Sequence, residues 1–147
     1  MNALLTDINV GWTPDLSVGS TPLDARNRSL LDALAGVERM IDAGLSDSAS
    51  WLRRLLADLE TLLDAEEAEL AAIDYPELAF HRQLHERARR LVGASRAALD
   101  KASGKLQIDA IVRARSAELS VWLMRHVQDA DKLFFPYIDM RYRQPEP

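Results

Sequence analysis

The chain has 147 residues, 48% of them apolar and 28% charged, with a formal net charge of -5, which suits one folded domain with a core of its own and excludes a disordered acidic tail. The negative balance offers no footprint for nucleic acid or an anionic membrane surface, so neither is expected as a partner. No cysteine is present, which excludes disulfides, thiolate nucleophiles and cysteine-held zinc and leaves any metal to nitrogen and oxygen donors.

The opening MNALLTDINVGW carries Asp7 early and has no basic leader and no apolar run of membrane length, so a cytoplasmic protein is expected. From Met1 to about Ser20, Gly11, Pro14 and Gly19 separate Trp12, Leu16 and Val18. This predicts an extended arm that lays its apolar side chains on the rest of the fold. A first helix is predicted from Thr21 or Pro22, with Thr21 as cap and Pro22 in the first turn, to about Ala43, where Gly44 stops it. Its stripe is Leu23, Leu30, Leu31, Leu34, Val37, Met40 and Ile41.

A second helix is predicted from about Asp47 to Ile73, with Leu52, Leu55, Leu56, Leu59, Leu62, Leu63 and Leu70 facing inward, and Tyr75-Pro76 ends it. Pro76 opens a third that runs to about Ala102, before Ser103-Gly104. The fourth spans roughly Leu106 to Ile138, bent or interrupted near Pro136. The expected fold is all-α: a single domain over 1–147, with an N-terminal arm over 1–20, an up-and-down antiparallel four-helix bundle over 21–140 and a tail over 141–147.

Three histidines occur in the chain, His81, His85 and His126. The first two are four residues apart, which stacks them on one helix face so that both imidazoles can address a single ion. His126, beside Trp122, Leu123 and Val127, can reach the same centre. Glu66 lies between Leu62 and Leu70 on the apolar stripe, where an unpaired carboxylate is costly and a cation would relieve it. Asp131 follows His126 by five residues, about 140° round a regular helix, so it shares an ion with His126 only by reaching across a turn. Read singly, the His81 and His85 pair suits a metal or two partly exposed surface histidines, His126 a satisfied core histidine, and Glu66-Glu67 a solvated face.

Taken in order, these segments resemble the hemerythrins and bacterial hemerythrin-like proteins over nearly the whole chain. DLSVG before Leu23-Asp24, preceded by Trp12, is similar to the family's lead-in. Glu66-Glu67 followed by Leu70 looks like its EExxM. YPELAFHRQLH, Tyr75 to His85, is similar to YPxxxxHxxxH, and WLMRHVQDAD, Trp122 to Asp131, to WLxxHIxxxD, with Phe134, Phe135 and Tyr137 suiting the family's tail.

The resemblance implies a nonheme diiron centre with five histidines and two bridging carboxylates. His81, His85 and His126 fall on the three histidines of one iron, and Glu66 and Asp131 on the two bridges. The histidine expected three residues after Asp24 is Asn27, and the one expected four before Glu66 is Leu62. Both histidines of the second iron, where the family binds dioxygen, are therefore missing, and the second metal should be lost.

The function expected is a hemerythrin-like nonheme metal-binding protein with a degenerate, mononuclear site, sensing or handling iron, oxygen, nitric oxide or peroxide, and not an efficient reversible oxygen carrier. One transition-metal ion is expected, iron first, with manganese, zinc or cobalt as alternatives. A small diatomic ligand is the further partner an open position would take. The alternatives are a metal-free interaction or signalling module of the same fold, and a weak diiron oxygen-binding protein that uses Asn27. No catalytic residue and no enzyme are expected, since nucleophile and base pairs, phosphate loops and nucleotide fingerprints are absent, a side oxidase or peroxidase reaction of bound iron aside. A monomer is favoured, with Phe134, Phe135 and Tyr137 packing within the chain.

Overall fold

Leucines three and four residues apart leave the long segments one apolar face each, and burying those faces against one another is the main gain that folding offers them. The computed structural model describes residues 11–44 and 47–138. Expectations placed on residues 1–10 and on the tail 141–147 lie outside the described residues. Within them the fold is all-helical, with five α-helices, two short 3-10 turns and no strand.

The arm over residues 11–20 contains one 3-10 turn, Pro14–Leu16, and buries Leu16 and Val18. Asp24 pins it, accepting hydrogen bonds from the Ser17 hydroxyl and from Val18 N at 2.9 Å. Helix α1 spans Thr21–Ala35, and its cap is Ser20, not Thr21: the Ser20 hydroxyl accepts from Leu23 N at 3.3 Å. The first helix does not run unbroken to Ala43. It stops at Gly36 (φ -91, ψ 1), whose N–H is shared between the carbonyls of Asp32 and Ala33, and a separate α2 follows over Val37–Ala43. Glycine is the weak point because it loses the most backbone freedom in a helix, about 0.5–1 kcal/mol relative to alanine.

Helix α3, Ser48–Ala72, is capped by Asp47 and lies within one residue of its expected bounds. Its leucine face closes on Asp74, which takes a left-handed φ of 52°, a conformation short polar side chains tolerate. Helix α4, Leu78–Lys101, begins two residues after Pro76, with Glu77 at the cap. Helix α5, Lys105–Asp129, ends well before Ile138, and the interruption falls at Ala130 (φ -104, ψ -48), not at Pro136. A 3-10 turn, Asp131–Phe134, follows and points both of its end residues into the interior. Burial of Asp131 and Phe134, and not the missing proline donor, sets where α5 stops.

Helix α3 packs on α1, α4 and α5; α1 and α4 also pack on α5, and α2 fills the gap between α1 and α5. One core of Leu, Val and Ile side chains runs through these contacts. No helix among the described residues is long and apolar enough to cross a membrane.

Candidate metal centre

Five titratable side chains lie inside this leucine core: Glu66 is 1% exposed, His81 2%, His85 0%, His126 6% and Asp131 0%. Buried charges and imidazoles persist only when each finds a partner. Glu66 is presented by the stripe of α3, one turn from Leu62 and one from Leu70. His81 and His85 stand one turn apart on α4, His126 comes from the last turn of α5, and Asp131 from the 3-10 turn beyond it. The structure thus brings together all five residues singled out in the sequence.

Glu66 Oε1 is the hub. It lies 3.0 Å from His85 Nε2 and 3.2 Å from His126 Nε2, and contacts His81 Nε2. The Nε2 atoms of His85 and His126 are 3.1 Å apart. Asp131 Oδ1 is 2.8 Å from His126 Nε2 and 3.2 Å from His81 Nε2, yet neither Asp131 oxygen makes an aligned hydrogen bond. One donor atom each from Glu66, His81, His85 and His126 lies within 4.8 Å of the others. Three Nε2 atoms and two carboxylates around one buried point form a donor set that protons on the imidazoles or a bound cation can satisfy.

The same crowding sets the proton affinities. Burial works against a charged His126, but the Asp131 and Glu66 carboxylates outweigh it and push its pKa up to about 10. Burial likewise opposes charge on His81, and the same two carboxylates raise it above the usual histidine value. Burial alone would raise Glu66, but hydrogen bonds from His126, His81 and His85 hold it well below the ordinary carboxylate range. Asp131 is pushed up, first by burial and then by the charge of Glu66.

Aromatic rings wall the cluster. Trp122 stacks on His126 with centroids 4.5 Å apart and planes 14° from parallel, and Tyr75 and Phe134 meet His81 edge-on. A cleft of about 710 Å³ between α4 and α5, lined by Leu84, Leu91, Val121 and Trp122, reaches His126.

Glu67 is a residue that sequence reasoning left out of the site. Its Oε2 lies 3.1 Å from His85 Nδ1, and its carboxylate also receives Arg89 and Arg82. Burial would raise its pKa, but the hydrogen bond from Arg89 and then that from His85 bring it below the ordinary value. The doubled Glu66-Glu67 was the available signal, and the spacing of an acidic run hid it.

On the far side of Glu66 the character changes. The Ser20 hydroxyl donates to Glu69 Oε2 at 3.0 Å, so seven residues along α1 and seven back along α3 bring Asn27 level with Leu62. Both are buried. Leu62 has no donor atom, and neither end of the Asn27 amide has a partner among the described residues.

Comparison with known proteins agrees with the geometry. The family model described as the hemerythrin HHE cation binding domain matches residues 18–138. A bacteriohemerythrin of Ralstonia nicotianae (strain ATCC BAA-1114 / GMI1000) is 27% identical over 132 residues, 90% of this chain and 90% of that protein. No solved structure matches the chain.

Proposed function

We propose a function from one premise: the chain belongs to the family of hemerythrin HHE cation-binding domains. In this reading it binds a single transition-metal ion through His81, His85, His126, Glu66 and Asp131, in an up-and-down antiparallel four-helix bundle. The pairs Glu60 with Arg96 and Asp64 with Arg89, which step in opposite directions along α3 and α4, support that topology. The observation that carries the metal reading is the convergence of three Nε2 atoms on Glu66 Oε1 in a buried core.

Imidazole nitrogen and carboxylate oxygen without thiolate suit iron first, and also manganese, zinc or cobalt. The donor set fits one ion and does not fit a second, because Leu62 brings no donor and Asn27 only an amide oxygen. A bound ion would supply Lewis acidity and, as iron, a redox couple. The chain's own residues do the rest: Glu66 and Asp131 balance the positive charge, Trp122 and Phe134 keep bulk water off the imidazoles, and the α4–α5 cleft gives a small molecule a path to His126. The role proposed is sensing or handling of iron, oxygen, nitric oxide or peroxide by a cytoplasmic monomer, rather than reversible oxygen carriage or enzyme turnover.

Metal analysis of protein purified without added ions tests this. About one equivalent in the wild type, lost in His85→Ala, is the expected result. Wild-type protein with under about a tenth of an equivalent, unchanged in the variant, removes the reading.

A second reading, a metal-free interaction or signalling module, is favoured by Leu62 and Asn27, which fill the core where the family carries two further histidines. Isothermal titration with Fe(II) and Zn(II) separates the two: submicromolar binding with proton release ends the metal-free reading.

A further inference from the structure

We propose that Glu67 is a positioning residue for this centre: it accepts a hydrogen bond from His85 Nδ1 and thereby keeps Nε2 as the ring nitrogen turned toward Glu66 and His126. Glu67 is not among the converging atoms. Its carboxylate sits behind the His85 ring, Oε2 3.1 Å from Nδ1. An ionised carboxylate can only accept, so the ring nitrogen that faces it carries the hydrogen. Glu66 Oε1 faces Nε2 in the same way, so in the metal-free protein the two carboxylates compete for the hydrogen of the ring, whereas a cation on Nε2 leaves that hydrogen to Nδ1 and Glu67. That Nε2 is the atom 3.0 Å from Glu66 Oε1 and 3.1 Å from His126 Nε2.

Glu67 is itself held from the helix that carries His85. Arg89, four residues after His85, donates to the same Oε2, and Arg82, three residues before it, places Nε 3.3 Å from Oε1. Arg89 is fixed in turn by Asp64 at 3.1 Å. Such pairs contribute little singly when partly exposed. Together they clamp the carboxylate from two sides, with its third contact going to the imidazole. An imidazole so backed is also a stronger donor to a cation, and loss of a backing carboxylate commonly weakens metal affinity about 10- to 100-fold.

The consequence for metal rests on the function proposed above; the position of the proton does not. The test has two measurements on the full chain. Nitrogen-15 NMR of the histidine rings, in metal-free and Zn(II)-loaded protein, reads the His85 tautomer, and competition with a chromophoric chelator reads Zn(II) affinity. Wild type should show a hydrogen on His85 Nδ1, shared with Nε2 in the metal-free protein and wholly on Nδ1 when zinc is bound. Metal-free Glu67→Leu should carry the hydrogen on Nε2, toward Glu66, and lose Zn(II) affinity by about 10- to 100-fold, while Glu67→Gln, which keeps an oxygen acceptor, should recover the Nδ1 hydrogen and most of the affinity. If Glu67→Leu does not fold, Glu67→Ala takes its place.

A metal-free wild type with no hydrogen on His85 Nδ1, or a Glu67→Leu variant with the wild-type ring signals and affinity within twofold, overturns the inference. Failure of wild type to take zinc would instead sink the metal reading, and the tautomers of the metal-free proteins would still decide on Glu67.

Discussion

Asp131 Oδ1 reaches to 2.8 Å from His126 Nε2 although the two residues would point about 140° apart on a continuous α-helix. The change of pitch resolves the conflict. At Ala130 the chain leaves the α-helix and tightens into the 3-10 turn Asp131–Phe134, which has three residues per turn and so re-aims every side chain beyond it. One conformational step brings a carboxylate to the cluster and Phe134 to the wall beside His81.

Asp131→Asn should therefore do more than remove one charge. The amide keeps the shape of the turn but lacks the anion that Asp131 sets beside His81 and His126. Zn(II) affinity measured by chelator competition should fall at least about tenfold while the circular dichroism spectrum stays that of the wild type. An unchanged affinity would mean that Asp131 is only a structural residue of the turn.

The proton affinities give the metal-free protein a pH profile of determined sign. The folded pKa of His126 is raised to about 10 from 6.5, so its stabilising contribution is complete below the unfolded value and is lost as pH rises through about 10. Glu66 runs the other way: its pKa is depressed, so its contribution is present above the ordinary carboxylate range and is lost on acidification. Thermal melts of metal-free protein should show the melting temperature falling toward both extremes, the alkaline loss absent in His126→Gln. Because a metal must displace the His126 proton, affinity should rise with pH and loading at neutral pH should release protons, as titration in buffers of different ionisation enthalpy would show.

Asn27 is fully buried with neither amide atom partnered among the described residues. Leaving such a group unpaired costs about 1–3 kcal/mol. Asn27→Leu, similar in volume and apolar, should raise stability by an amount of that order in urea denaturation. A loss of stability would indicate that the amide is satisfied by bound solvent.

The double variant Asn27→His with Leu62→His places two imidazoles at one level on α1 and α3, beside Glu66. Metal analysis should move from about one equivalent to about two. A stoichiometry that stays at one would mean that more than the two side chains separates this chain from a two-ion site.

Much of this was legible in the one-dimensional pattern. Leucine spacing carries the helix type and the core face of α3, because a period near 3.6 can be satisfied by only one backbone conformation. Glu66 stood out as an acid on an apolar stripe, and His81 with His85 as a pair one turn apart. Other features depend on neighbours distant in the chain. The N-cap shifted from Thr21 to Ser20, whose hydroxyl also meets Glu69 on α3. The first helix broke at Gly36, a local weak point across which the apolar stripe runs on.

What the sequence by itself determined is the helical character, the apolar faces and, through the resemblance of its motifs, five candidate side chains, since periodicity, residue type and motif spacing are local properties of the chain. The tertiary structure alone decided that α5 ends at Ala130, that Glu67 backs His85 and that Asn27 faces no partner among the described residues. Each of these depends on which helix lies opposite and at what level, and the cost of burying a charge or an amide is set by the atoms around it, not by its neighbours in the chain.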